Sequence, residues 1–351
     1  MKYYAGLDVS MKTTSICIVN QEKKIVFESE VPTDPNTIFS AIRGTGLDIE
    51  NSAVESGSIS HWLVQELSRK KMPIICVDAR KMSRVLSINI NKNDKNDARL
   101  IAEALRCGFY SEVQQKPQED VEMKILMGSR RSLIETHTKL KNTIRGHLKA
   151  FGIRLGTASN HKFEGLVQQA LKDKPEVVKM GIKGLVETLK NINGQITLLD
   201  KKIEELAMED EDVKLLTTIP GVGIVIAYTF KAHLGDPSRF KTSRAVGAYF
   251  GMTPTQYSSG EVQKQGRVSK CGAPEVRSLL NEAAFAMLYA SKSWSRIKVW
   301  GLKIKKKKGH KKAMMAVGRK LCVLMHRMLI TRKPFEYGSP KENEKKIQAV
   351  S

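Results

Sequence analysis

In the first hundred residues, short apolar runs alternate with tight polar turns. KYYAGLDVS, TTSICIVN and KKIVFESEV read as three strands joined in a meander. DPNTIFSAIR opens with an Asp-Pro helix signal, NSAVES is a short strand, SISHWLVQELSRKK an amphipathic helix and MPIICVDA a further strand. KNDARLIAEALRCG is a helix closed by Gly108. From about residue 117 the strand signal disappears. Val178, Ile182, Leu185, Leu189, Ile192, Ile196, Leu199, Ile203 and Leu206 recur at alternating steps of four and three, which is a heptad seam. Leu133, Leu140, Ile144 and Phe151 repeat the idea earlier, with His137 and His147 on or beside their seam. Gly181, Gly184 and Gly194 each weaken the second helix by roughly 1 kcal/mol relative to Ala. Beyond residue 211 come a helix, an I-P-G-V-G turn and another helix. A YSSG loop, a helix from about Pro274 to Ser291, a basic loop or helix start (KIKKKKGHKK) and a final amphipathic helix (AMMAVGRKLCVLMHRML) follow.

This order predicts an α/β domain over residues 1–115, a helical coiled-coil region over 116–210, a mainly helical domain over 211–340 and a frayed, flexible tail over 341–351. Three strands followed by alternating helices and strands is a ribonuclease-H-like order, although other α/β folds begin the same way. The heptad seam fits either a hairpin of helices within one chain or a seam that also dimerises the protein; the dimer is the expectation.

Charge narrows the partner. Lys and Arg number 59 against 36 Asp and Glu, a net charge of +23, which favours a polyanion, nucleic acid before an anionic membrane surface. Structural RNA binders share this balance, so charge says nothing of catalysis. The five cysteines are scattered without a C-x-x-C pair, which argues against a zinc site or a disulfide framework. No apolar run reaches membrane-spanning length and the N-terminus carries no signal-peptide pattern, so a cytoplasmic protein with no membrane partner is expected.

Four acids fall at strand positions and a helix start, and in a strand a carboxylate is costly unless it faces solvent or a cation. Asp8 lies in the first strand after Gly6, Glu55 ends NSAVES, and Asp94 and Asp97 sit three apart at a helix start. Clustered carboxylates repel one another, and one or two Mg²⁺ ions, with Mn²⁺ as a substitute, would hold them together. Two such ions could serve phosphodiester chemistry. A structural alternative stays open for each: Asp94 as a helix N-cap, Asp97 as a carboxylate stabilised by the helix dipole, Glu55 as a surface residue. His61, one turn into a helix after Glu55, reads as a helix-surface residue or as a group supporting the acids from behind, the former being the expectation, and His233, His310 and His326 share no ligand spacing. No ATP motif is present. The I-P-G-V-G turn between two helices is a helix-hairpin-helix signature, or an ordinary helix-helix turn; in the former, Gly221 and Gly223 would let backbone N–H groups approach a phosphate. Arg239, Lys241, Arg244, Lys264, Arg267 and Lys270 surround it in sequence as candidate nucleic-acid contacts.

GLDVS, VES, NDKNDARLIAE, IPGVG, AVGAYFGMTPTQYSSG, SKCG and AMMAVGRKL occur in this order. Together they resemble the DEDD transposases of insertion sequences, the IS-one-ten and IS-eleven-eleven groups, and the related site-specific DNA invertases. The resemblance covers nearly the whole chain and is most specific from Ala245 to Gly272. It implies a RuvC-like N-terminal domain whose metal-binding acids are Asp8, Glu55, Asp94 and Asp97. It also implies a dimerising coiled coil, a tetramer in the synaptic complex, and a transposase domain whose catalytic serine is Ser259. Donor and target DNA would be the substrates, with an element-encoded bridge RNA as guide. Glu261 departs from the family's run of small residues after the motif, which leaves Ser258 as an alternative nucleophile.

The expected activity is therefore DNA recombination by metal-assisted serine attack, giving a covalent phosphoserine–DNA intermediate. Two alternatives remain at this point. One is a RuvC-like endonuclease with water as nucleophile, and the other a non-catalytic nucleic-acid-binding protein.

Overall fold

The computed structural model describes residues 1–86, 93–157, 159–259 and 262–338. It divides into two compact units, Met1–Lys116 and Pro117–Ser351; the tail expected from residue 341 lies outside the described residues.

In the first unit, β1 (Tyr3–Val9), β2 (Thr13–Asn20) and β3 (Ile25–Pro32) form the antiparallel meander. They are followed by α1 (Pro35–Arg43), β4 (Ile49–Glu55), α2 (Ser60–Arg69), β5 (Ile74–Val77), α3 (Ala79–Leu86) and α4 (Asp94–Arg106). Asp34 caps α1 through the Thr37 amide, and Pro35 supplies the preset φ of a first helical turn. The sheet runs β3-β2-β1-β4-β5, with β4 parallel to both β1 and β5. This is the ribonuclease-H-like arrangement.

Period-two alternation sorts the strands between two faces. Leu7, Ile16, Ile18 and Val54 pack against Ile38 and Ile42 of α1 and Leu63 and Leu67 of α2. Cys17 and Val19 face Ala98 and Ala102 of α4 on the other side. Gly6 lies on that second face. A Cβ there would sit 2.1 Å from the Ala98 carbonyl oxygen and 2.4 Å from the Ala102 nitrogen, so the α4 backbone rests directly on the strand. Arg99 ties α4 to Glu28 of β3 in a two-pronged ion pair. Burial first, and then Glu28, pushes the neighbouring Cys17 thiol up to about 12.

The second unit begins with α5 (Gln118–Lys149), α6 (Asn160–Leu171) and α7 (Glu176–Glu209). Ile182 and Leu189 of the heptad seam are buried against Ile144 and Leu148 of α5 and Phe163 and Val167 of α6. Ile203 joins a separate cluster with Met127 and Val213. At these positions the seam is closed by helices of the same chain, while Ile192, Ile196 and Leu199 between them are half-buried.

α8 (Glu211–Thr217), α9 (Ile224–Leu234) and α10 (Ser243–Tyr249) lead into a β-hairpin, β6 (Pro254–Ser259) and β7 (Val262–Val268). Tyr257–Ser259 of the YSSG motif are thus strand where the sequence pattern suggests a loop. TQYS and VQKQGRV alternate with too few apolar residues to announce strands, but they pair with each other. α11 (Pro274–Phe285) ends in a π-helical turn, Ala286–Ala290. α12 (Arg296–Lys308) and α13 (His310–Thr331) follow. The basic run expected as a loop or helix start is helix on both sides of Gly309, whose φ is +82°. Lys has good helix propensity, and the four lysines ending α12 face the negative end of its dipole.

His326, 2% exposed, fastens α13 to the segment before the hairpin. Its Nε2 lies 2.9 Å from the Pro237 carbonyl, which only accepts, so Nε2 carries the proton and Nδ1 accepts from the Ser243 hydroxyl at 2.9 Å. Among the described residues, no helix is long and apolar enough to cross a membrane.

The packing at Gly6 has a measurable sign. Gly6→Ala should destabilise the first unit by roughly 1–3 kcal/mol through overpacking. Gly128→Ala in α5, where nothing lies within 4 Å of an added Cβ, should stabilise the second by up to about 1 kcal/mol. Thermal denaturation followed by circular dichroism checks both; equal shifts would contradict the packing described.

Candidate active site

Register brings the first two acids together. β1 and β4 are parallel and pair Leu7 with Val54, so the next residues, Asp8 and Glu55, are neighbours at the carboxyl ends of adjacent strands. Both are half-buried. Gly6 and Ala53, two residues before each, lie under α4, and the pleat therefore puts Asp8 and Glu55 on that same face. The carboxyl ends of parallel strands are where α/β sheets form their sites.

α4 contributes Asp97. The residue after it, Ala98, is the one whose carbonyl lies against Gly6, so the close approach also places Asp97 at this end of the sheet. Asp97 is 5% exposed, whereas Asp94, one turn earlier, is exposed. The helix is capped by Asn93, which accepts from the Asn96 amide at 2.8 Å, so Asp94 is not the N-cap. Both aspartates lie in the first turn, where the dipole favours negative charge.

Asp8, Glu55 and Asp97 thus share one face and one end of the sheet, with Asp94 at the exposed start of the helix. Their donors are all carboxylate oxygens, the chemistry that suits a hard divalent cation. Among the described residues, no three His, Cys, Asp or Glu groups are already drawn together as a metal cluster. The acids are sorted to one place but do not form a closed shell. His61, expected on the surface of its helix, is instead half-buried in α2, because Nδ1 lies 2.6 Å from Gln115 Oε1 and draws the ring inward, leaving a buried Nε2 without a partner.

The serine hairpin is built differently. Ser258 pairs with Gln263 and Ser259 with Val262, and Ser259 is the last residue of β6. The side chains of Ser258, Ser259 and Lys264, and residues 260–261, lie outside the described part. The base of the hairpin is locked by two interleaved glycines. A Cβ on Gly251 (φ +65°) would meet the Cys271 oxygen at 2.0 Å, and one on Gly272 (φ +76°) the Tyr249 oxygen at 2.2 Å. Ser269 N–H donates to the Thr253 carbonyl at 2.9 Å and Lys270 N–H to that of Gly251 at 3.1 Å. Sequence reasoning missed Arg277. Its Nη1 donates to the carbonyls of Phe250, Cys271 and Gly272 at 3.2, 2.8 and 3.0 Å, joining both sides of the hairpin base to α11. Its position just after SKCGAP, in the first turn of a helix, was the only signal.

The helix-hairpin-helix reading of the I-P-G-V-G turn divides. Gly221 (φ +88°) is packed against α11 and the π-helical turn, where a Cβ would lie 2.7 Å from the Ala283 oxygen; its lack of a side chain serves packing. Gly223 caps α9 in open space and remains accessible to a phosphate. Arg239 is occupied: its guanidinium lies 4.3 Å from the Phe240 ring centre and 4.5 Å from that of Tyr249, and donates to the Leu234 carbonyl. Lys241, Arg244, Arg267 and Lys270 are exposed. A cavity of about 830 Å³ near α8 and α9 has the wrong sign for a phosphate. Acids dominate its lining, with Lys231 paired to Asp210 and Asp212.

Residues 5–153 match the family model of DEDD transposases of the IS110 type, and residues 213–299 match the model described as the transposase IS116/IS110/IS902 family. The chain is 24% identical to the transposase for insertion sequence element IS1111A of Coxiella burnetii, over 95% of this chain and 91% of that one. It is 30% identical to a probable family 20 transposase of Pseudomonas aeruginosa, over 56% and 60% of the two chains. It is 25% identical to the pilin gene-inverting protein of Moraxella bovis, over 48% and 55%. Among solved structures, Thermus thermophilus RuvC in complex with a Holliday junction substrate aligns over 32% of this chain and all of its own. Its identity is 13% and its TM-score 0.24; the fold assignment rests on the strand order above.

Arg277→Met should free the hairpin base, leaving carbonyls unsatisfied at a cost of about 1–3 kcal/mol. Trypsin should then cut faster at Lys264, Arg267 and Lys270 while helicity is unchanged. Cleavage at the wild-type rate would mean that Arg277 does not hold the hairpin.

Proposed function

We propose that this chain, which belongs to the IS116/IS110/IS902 family of insertion-sequence transposases, cuts and rejoins DNA through a covalent serine–DNA link formed by Ser259. The chain is a transposase, an enzyme that cuts DNA. The observation that carries the serine reading is the locked hairpin, which ends β6 at Ser259 on a base held by Gly251, Gly272 and Arg277.

In this reading the Ser259 oxygen forms a bond to phosphorus while the bond to the departing DNA oxygen breaks. The serine proton passes to solvent and the departing oxygen takes one up. Because one phosphate ester replaces another, rejoining needs no nucleotide triphosphate. Asp8, Glu55, Asp97 and Asp94 would hold Mg²⁺ or Mn²⁺, which supplies charge neutralisation at a scissile phosphate when bound. Asp97 is kept buried and ready at the sheet end by the packing of Ala98 on Gly6. Gly223, Arg267 and Lys270 are the accessible phosphate contacts; Lys241 and Arg244 extend them. Guidance by an element-encoded bridge RNA and assembly as a homodimer or tetramer belong to the same reading and are carried by family resemblance.

A second reading, hydrolytic cleavage by the acid set with water as nucleophile, is favoured by one observation: the acids are gathered entirely within the first unit. The two readings give different products. Serine attack leaves protein bound to a DNA end, whereas hydrolysis leaves free ends.

Ser259→Ala should retain DNA binding and lose both the protein–DNA adduct and recombination, scored by denaturing gel after incubation with Mg²⁺. Adducts that survive in Ser259→Ala but vanish in Ser258→Ala would move the nucleophile to Ser258. Free 5′-phosphate ends with no adduct in the wild type would support hydrolysis. Separately, Mg²⁺ should raise the melting temperature of the wild type and have little effect on Asp8→Asn or Asp97→Asn. An equal Mg²⁺ shift in all three would remove the acids from the metal site.

A further inference from the structure

The acid set and the serine hairpin leave one strongly featured surface without a role, where α11, α12 and α13 meet. No Asp or Glu occurs between Glu282 and Glu336. Lys305, Lys306, Lys307 and Lys308 end α12, and His310, Lys311 and Lys312 begin α13, all exposed. Beside them stand three rings. Phe285 ends α11 and is 50% exposed; Tyr289 lies in the π-helical turn that follows, and His310 faces them from α13. Ring centres are 5.1 Å apart for Phe285 and Tyr289 and 5.3 Å for Tyr289 and His310. The Tyr289 hydroxyl and His310 Nδ1 share a hydrogen bond of 2.7 Å, and Lys305 Nζ lies 4.7 Å from the Tyr289 ring centre.

Each part of this arrangement has a physical meaning. Phe285 keeps half its surface in solvent while the rings of Tyr289 and His310 flank it at 5.1 and 6.5 Å, so an aromatic patch lies open beside the lysines. Tyr289 is held still by His310, which lowers the entropy cost of stacking something on the rings. π-helical turns recur at functional sites. Lysines and exposed rings together are the chemistry that grips a single strand, phosphates on the ammonium groups and bases on the aromatic faces. A duplex offers the phosphates but keeps its bases stacked on one another.

We propose that this ridge binds an unpaired strand of DNA, with Phe285 as the stacking platform and Lys305–Lys308, Lys311 and Lys312 along the backbone. DNA is the choice because this enzyme cuts DNA, and strand exchange passes through unpaired DNA. The inference rests on that reading but not on the identity of the nucleophile. The ridge has few side chains suited to reading base edges, so its grip is sequence-tolerant.

The test uses the full chain carrying Ser259→Ala, so that covalent chemistry plays no part, and fluorescence anisotropy with labelled oligo-dT of about 20 nucleotides. Phe285→Ala should weaken oligo-dT binding roughly tenfold and duplex binding by less than about twofold. Phe285→Trp should restore it, and Phe285→Leu, which keeps the apolar bulk without the ring, should not. Changing Lys306, Lys307 and Lys308 to Gln should flatten the salt dependence by roughly 0.7 for each phosphate no longer neutralised. Equal losses for duplex and oligo-dT in Phe285→Ala, full binding in Phe285→Leu, or tighter binding of oligo-U than oligo-dT by the parent protein would each overturn the proposal. Anionic vesicles competing as well as oligo-dT would do so too. Failure of the serine reading would instead appear as adducts in the Ser259→Ala protein and would leave these affinities unchanged.

Discussion

The approach of α4 to β1 at Gly6 is the interaction on which the acidic set depends. Helix backbone resting on strand backbone leaves no room for a side chain between them, and this closeness fixes where the first turn of α4 falls. Asp97, next to Ala98, is thereby carried to the end of the strand that holds Asp8. The parallel register of β1 and β4 does the rest, setting Glu55 beside Asp8. The Arg99–Glu28 ion pair adds little energy at its half-exposed site but resists sliding of the helix across the sheet.

The second unit solves a similar problem with the same means. Gly251 and Gly272, both at positive φ, let two backbone segments interlock at the foot of the hairpin, and Arg277 satisfies three carbonyls there. Each site is thus approached through backbone packed on backbone, which allows far less adjustment than side chains packed on side chains. Residues named for chemistry are few, but those that hold them are many and mostly glycine, alanine or a buried polar anchor such as His326.

Much of this was legible in the sequence. The five strands of the first unit, with α1, α2 and α4, follow from alternation and capping signals; Asp8 and Glu55 stood out as charges in strands, and Asp94 and Asp97 as a pair three apart at a helix start. Other features depended on partners that no local pattern reveals. The hairpin reads as a loop because TQYSS lacks apolar alternation, yet its strand character comes from pairing with VQKQGRV. Gly221 looks like a phosphate cradle until α11 is seen to fill the space beside it. Arg239 counts among phosphate contacts by charge alone, while the two rings that occupy it lie one and ten residues on, at Phe240 and Tyr249. A heptad seam states that a helix needs a neighbour but not whose; here α5 and α6 meet part of that need. Arg277 carried no signal of its kind, since an arginine at a helix start is ordinary until the carbonyls it serves are known.

The long stretch without an acid, from the end of α11 through α13, bears on how such a protein finds its place of work. A field of one sign over a whole ridge lowers the barrier to encounter with DNA and permits transfer along it without full release. The same uniformity removes discrimination, since every stretch of DNA presents the same phosphates. Speed of search and choice of site are therefore separate demands, which one charged surface does not meet together. The ridge can shorten the journey, but the decision to stop must be made elsewhere, by something that reads bases.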